Sequence, residues 1–214
     1  MEPDNRVLVT IGIHPTQAHL ADRLDLERLG ELLACPRVVG LGEVGLDYFR
    51  VSRYEDQRLQ RLFLAAILDL AEERDLPLIL HTRDGGDGRA SSDCLGILRK
   101  GLSRWHRVHR HCFRGCVREM NDWIAAFPNV CFGFTATVLR DPTKQEEEAI
   151  HAMASHRILL ESDAPYLPVP GSAEGFNHPW SILATATRIA RIRGVPVASL
   201  LALTRANAKR FYHL

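Results

Sequence analysis

The sequence predicts an α/β protein built as a (β/α) barrel. Three observations carry that prediction. Short apolar, β-branched runs alternate with longer helix-period segments from end to end. Most of those runs are continuously apolar, as in strands buried on both faces of a parallel sheet. A metal-capable polar side chain then stands where five of the runs stop.

The predicted strands are Arg6–Ile11, Arg37–Leu41, Pro77–Leu80, Val108–Cys112, Asn129–Phe134 and Arg157–Leu160. Between them lie helices. Tyr54 to Arg74 repeats Leu59, Leu62, Phe63, Ala66, Ile67 and Leu70 at three- and four-residue steps, and Ser52 with Glu55 has capping-box spacing. Val117–Phe127 and Lys144–Ala154 follow. Trp180–Arg193 stops at Gly194, and Pro196 opens a last helix to about Phe211. The glycine-rich Asp84–Arg89 follows a strand without phosphate-loop spacing and reads as a flexible turn. Strand–helix alternation of this kind makes right-handed βαβ units and a parallel sheet.

The polar residues are His14, Glu43, His81, His111 and Asp163. Carboxyl ends of parallel strands converge on one mouth in a barrel, whereas an open sheet spreads them along an edge. Five such residues therefore favour the barrel. Singly, each has an ordinary reading: a loop histidine, a salt-bridge partner of Arg50 or Arg53 for Glu43, a turn before Pro165 for Asp163. Jointly, imidazoles and carboxylates suit Zn²⁺, Mn²⁺ or Mg²⁺, one ion or two. Such an ion makes bound water acidic near neutral pH. Asp163 then binds the metal or positions the water as base.

Composition narrows the setting. The chain has 214 residues, 46% of them hydrophobic, and a formal net charge of +1. That length fits a single domain over residues 1–214. The balanced charge gives no bulk attraction to nucleic acid, so a nucleic-acid substrate needs a local site. Five cysteines without a CxxC pair argue against a disulfide framework and for an intracellular compartment, cytoplasmic or nuclear. No apolar run approaches the roughly 18 residues of a membrane span, and the first residues lack the apolar stretch of a signal peptide.

The segments GIHP (Gly12–Pro15), GEVGLDY (Gly42–Tyr48), LPLILHTR (Leu76–Arg83), HCFRG (His111–Gly115), ESDAPYL (Glu161–Leu167) and LTRANAKRFY (Leu203–Tyr212) resemble, in order, the motifs of TatD-family metal-dependent nucleases, a family of TIM-type barrels. HRHCF, GFTA (Gly133–Ala136) and the NHP at Asn177–Pro179 look most like its animal branch. The resemblance implies a bridging carboxylate at Glu43, metal-binding histidines at His81 and His111, and a metal-binding, water-positioning aspartate at Asp163. It places His14 beside the substrate phosphate. Arg83 is expected on phosphate or in an ion pair with Asp47 or Asp84. Tyr166 is expected to stack on a base, Phe113 to pack in the core, and His109 to back the metal site or fill the interior.

The family's opening His-x-His motif has no counterpart here, so the expected fold is a TIM-type barrel lacking its first two strands, with about six parallel strands remaining. Such a chain is expected to have lost one metal of a pair and to expose sheet edges. The function implied is exonucleolytic, metal-dependent hydrolysis of DNA, or of RNA. Two alternatives stay open: an amidohydrolase-type enzyme acting on a small ester or amide, and a catalytically impaired barrel remnant with a binding role.

Overall fold

The computed structural model describes residues 7–140 and 142–214, so Arg6 of the first predicted strand lies outside the described residues. They form two compact units. One takes the described residues up to Arg110 together with Ala126–Asn129, and the other takes His111–Ala125 and Val130–Leu214.

The first unit carries β1 (Val9–Ile11), α1 (Arg23–Leu32), β2 (Val38–Asp47), α2 (Tyr54–Ala66), α3 (Leu68–Glu73), β3 (Leu78–Arg83), α4 (Arg89–Gly101) and β4 (Val108–Arg110). Its strands pair parallel in chain order, each joined to the next through helix. Leu78, Ile79 and Leu80 of β3 are all buried, which explains the continuous apolar run: both faces of the strand are covered. Helix α2 packs on β2 and α4. Its Gln60 is fully buried and accepts a hydrogen bond from the backbone N–H of Asp47 at 3.0 Å, which pins the end of β2.

Most of α5 (Val117–Ala126), with β5 (Cys131–Phe134), α6 (Lys144–Ala152), β6 (Ile158–Leu160), α7 (Ile182–Arg193) and α8 (Val197–Tyr212), makes the second unit. β5 and β6 pair parallel, with Phe132 opposite Ile158 and Phe134 opposite Leu160. Helices α7 and α8 pack on each other and on β6. Cys131, Leu159 and Phe211 share a core cluster there. The LTRANA segment earns its place through Asn207. This side chain is buried and donates to the carbonyls of Ser155 at 2.8 Å and Ile158 at 2.9 Å. Asn207→Ala removes both of these bonds from a buried site, so the unfolding free energy from urea titration is expected to fall by about 1–3 kcal/mol.

Several boundaries differ from expectation, each for a local reason. The predicted helix Tyr54–Arg74 divides at Ile67, which ends α2 and precedes α3. The Ser52–Glu55 capping box does not form; Arg53 is the N-cap and makes no side-chain cap bond. Capping boxes close instead at Asp22–Asp25 before α1 and Thr143–Glu146 before α6. Gly194 ends α7 in the left-handed conformation at φ +66°, as its position predicts. The larger difference concerns β2 and β3. They continue past the apolar runs, so Glu43 and His81 lie inside strands rather than after them. Among the described residues, no helix is long and apolar enough to cross a membrane.

Candidate active site

In the first unit the site begins with an irregularity in β2. Leu41 pairs with Leu78 and Val44 with Leu80, so three steps on β2 meet two on β3. One extra residue makes a bulge, and a bulge re-aims the side chains that follow it. Glu43 lies in it, and Asp47 lies beyond it with the same alternation. Glycine is required at two flanking positions. A Cβ on Gly42 would stand 2.5 Å from the Ile79 Cβ, and one on Gly45 would stand 1.9 Å from the His81 carbonyl oxygen. The two glycines of GEVG thus let β2 and β3 close on each other around the acidic residue.

His81 is held between two carboxylates. Its Nε2 stands 3.3 Å from Asp47 Oδ2 and its Nδ1 3.5 Å from Glu43 Oε1. Asp47 is buried, and its Oδ1 accepts from the Arg50 N–H at 2.8 Å. A buried carboxylate facing Nε2 favours the proton there and leaves the Nδ1 lone pair toward Glu43. Burial works against the charged form of His81, but Asp47 and Glu43 outweigh it and hold the imidazole pKa above its usual value. Burial likewise opposes an ionised Asp47, yet His81 and the Arg50 N–H keep that carboxyl below its ordinary range.

His14 completes the group. Its Nε2 is 3.8 Å from Glu43 Oε2, and its ring meets His81 edge-on at 4.5 Å between centroids. One ligand atom from each of His14, Glu43 and His81 lies within 4.8 Å of the others, close enough in principle for one cation. Two ligands about 2.0–2.2 Å from a Zn²⁺ stand no more than about 4.4 Å apart, and the Glu43–His81 distance satisfies that. His14 is different in its hydrogen bonding. Its Nδ1 accepts the Thr16 N–H at 3.2 Å at the start of a short 3₁₀ turn, Pro15–Leu20. A neutral ring bonded that way carries its proton on Nε2. Burial, reinforced by the neighbouring His81, lowers the His14 pKa against the opposing pull of Glu43 and Asp47, which favours the neutral ring. His14 therefore offers an N–H donor beside Glu43 rather than a lone pair.

The second unit repeats the clamp. His111, just after β4, has Nδ1 3.0 Å from Glu161 Oε1 and Nε2 3.7 Å from Asp163 Oδ1. The other Glu161 oxygen accepts the Cys112 N–H at 3.0 Å, which fixes the carboxylate behind the ring. Asp163 adopts φ +60°, a left-handed conformation that a short polar side chain tolerates and that clusters at functional sites. The Cys112 thiol is pushed up in pKa by burial, so it stays neutral and is a poor rival ligand.

The remaining predicted residues fall as follows. Arg83 ends β3 with its guanidinium 4.1 Å above the exposed Phe49 ring. Tyr166 is 70% exposed, and its N–H donates to the Asp163 carbonyl at 2.7 Å. Phe113 is buried against Phe132, 4.7 Å between centroids, which is the core role expected of it. His109 is buried in β4. Sequence reasoning missed Asp47 and Glu161 as the carboxylates behind the two histidines. For Asp47 the spacing was the available signal: it follows Glu43 by an even number of residues within β2, so the two can share a strand face. Glu161 and Asp163 lie beyond the end of β6, where that alternation does not apply.

Comparison with known proteins places these motifs. A family model described as TatD related DNase matches residues 1–213. The human 3'-5' RNA nuclease TATDN2 is 34% identical over 206 residues, covering 95% of this chain but 26% of that protein, so the chain spans about a quarter of this relative. The 3'-5' ssDNA/RNA exonuclease TatD of Shigella flexneri is 33% identical, with 95% of this chain and 76% of that protein covered. The crystal structure of YJJV, a TatD homolog from Escherichia coli, superposes with a TM-score of 0.84 at 23% identity, covering 97% of this chain and 77% of that one. That likeness establishes the α/β fold of parallel strands and helices. From its motifs, its fold and the family model that spans it, the chain belongs to the TatD related DNase family.

Proposed function

We propose that this chain hydrolyses phosphodiester bonds of single-stranded nucleic acid from the 3' end, using a divalent cation. The observation that carries the reading is the repeated clamp: His81 between Asp47 and Glu43, and His111 between Glu161 and Asp163. A carboxylate behind an imidazole orients the ring and raises its basicity toward a metal. The names of the bacterial and human relatives, a ssDNA/RNA exonuclease and an RNA nuclease, supply the substrate class. We read residues 1–214 as one hydrolase domain working in an intracellular compartment, in keeping with five free cysteines.

In this reading Glu43 and His81 hold the cation, with Mn²⁺, Zn²⁺ and Mg²⁺ as candidates. When bound, the ion supplies Lewis acidity to a phosphoryl oxygen and acidifies water. Asp47 keeps the His81 proton on Nε2. His111 and Asp163 provide the second donor set, and Asp163 accepts the proton of the attacking water. His14 donates Nε2–H to a phosphate oxygen. Arg83, on its aromatic rest, and Tyr166 bind substrate.

The test is cleavage of a 5'-labelled single-stranded oligonucleotide with each cation in turn. Stepwise shortening from the 3' end, stopped by a chelator, is expected; no cation-dependent shortening with any of the three overturns the proposal. His14→Ala refines it. As a donor rather than a ligand, its loss is expected to lower kcat/KM by about 10²–10³-fold while cation affinity by calorimetry stays within about twofold. A matching loss of cation affinity would make His14 a ligand instead.

A further inference from the structure

The loop between β6 and α7 carries three aromatic rings that no part of the proposed chemistry uses. His178 stacks on Trp180 with ring centroids 4.1 Å apart and planes 12° from parallel. Phe176 meets His178 edge-on at 4.8 Å. Phe176 is 51% exposed and Trp180 70% exposed, a large apolar area to leave in water. The Glu174 carboxylate contacts His178 Nε2, so the middle ring is fixed at its edge as well as on its face.

The loop is also tied to the segment that carries Asp163. Asn177 is buried, its N–H donates to the Pro165 carbonyl at 2.9 Å, and its Nδ2 donates to the Ser162 carbonyl at 2.5 Å. Those two carbonyls bracket Asp163 and Ala164. One residue, through its backbone and its side chain, thus ties the aromatic loop to the segment of Asp163 and Tyr166, all within the second unit.

We infer that Phe176, His178 and Trp180 form a platform on which an unpaired base of single-stranded DNA stacks, next to Asp163. This rests on the nuclease reading above and names how its substrate is gripped. Stacking explains how a chain with a net charge of +1 holds DNA, since bulk attraction to the backbone is absent. Each base has a π-face, so such a platform binds without sequence preference.

The test compares two probes by fluorescence anisotropy, with chelator present to stop cleavage: a single-stranded oligothymidylate, and the same strand made abasic toward its 3' end. Wild type is expected to prefer the strand with bases. Trp180→Ala is expected to weaken oligothymidylate binding about tenfold and abasic binding less than twofold, and Trp180→Phe to restore most of the loss. Base-dependent binding that survives Trp180→Ala, or equal weakening toward both probes, overturns the platform. In either case cation-dependent cleavage by wild type still upholds the nuclease reading. Absence of that cleavage instead removes the nuclease reading and the platform with it.

Discussion

Glu43→Gln is expected to abolish cation-dependent cleavage, lowering kcat/KM by about a thousandfold or more. Removing a carboxylate that merely backs a ligand already costs about 10–100-fold, and Glu43 is proposed above as a ligand itself. Asp47→Asn supplies the graded comparison within that 10–100-fold range. The substitution changes no volume, so a loss of activity with an unchanged unfolding midpoint separates chemistry from folding. His81 gives an independent readout. Glu43 raises its pKa, so in Glu43→Gln the His81 titration followed by NMR should move down. The pH dependence has a definite sign. A raised pKa means that charged His81 stabilises the metal-free fold fully below its unfolded value of 6.5, and that this stabilisation is lost as pH rises through the higher folded value. Cation binding requires the deprotonated ring, so affinity should rise over that same window. Asp47 acts in the opposite direction. Its contribution is present above 3.8 and lost as acid protonates it through its lowered folded pKa. Cleavage undiminished in Glu43→Gln would remove this glutamate from the chemistry.

Gly45→Ala is expected to be the most damaging single methyl group in the chain. The added Cβ would lie 1.9 Å from the His81 carbonyl oxygen, and that oxygen belongs to backbone that cannot swing aside. The residue also sits at φ +141°, where L side chains are strained. Strain of about 1–3 kcal/mol adds to overpacking of about 1–3 kcal/mol. The unfolding free energy should therefore fall by roughly 2–6 kcal/mol, with cation affinity falling too, since β3 must shift where it carries His81. Gly96→Ala is the control of opposite sign. This glycine lies in α4, where an added Cβ would meet nothing within 4 Å, and alanine there should stabilise by about 0.5–1 kcal/mol. Equal unfolding midpoints for the two variants would mean that β2 and β3 do not close as described.

Much of this architecture was legible in the chain because burial writes itself into composition. The strand positions of β3, β5 and β6 follow from short apolar runs, LIL at the start of β3, CFGF in β5 and ILL in β6, whose residues are mostly buried. The ends of helices α7 and α8 were readable from Gly194 and Pro196, whose backbone restrictions are intrinsic. What escaped was set by contacts between elements. The continuation of β2 through Gly42 and Gly45 looks like a turn in one dimension and becomes a strand only because β3 closes against it. Glu161 behind His111 and Asp47 behind His81 depend on partners 50 and 34 positions away along the chain, and the even spacing between Glu43 and Asp47 says nothing of which histidine they meet. The choice between Ser52 and Thr143 as a cap was also not local: both have a glutamate three residues on, but only Thr143 is placed to use it.

The extra residue in β2 also sets how this region can change by insertion or deletion. A strand reads out its side chains in a two-beat phase, and one surplus residue shifts that phase by half a cycle. Upstream of the shift, Leu41 is fully buried; downstream, Val44 and Leu46 are fully buried at alternate positions, while Glu43 and Asp47 meet His81. Excising a single residue there would not merely shorten the strand. It would exchange the two downstream faces, driving two carboxylates into the hydrocarbon layer and two aliphatic chains toward the imidazole. Point substitutions can therefore explore this segment one side chain at a time, but any change in its length must come in pairs.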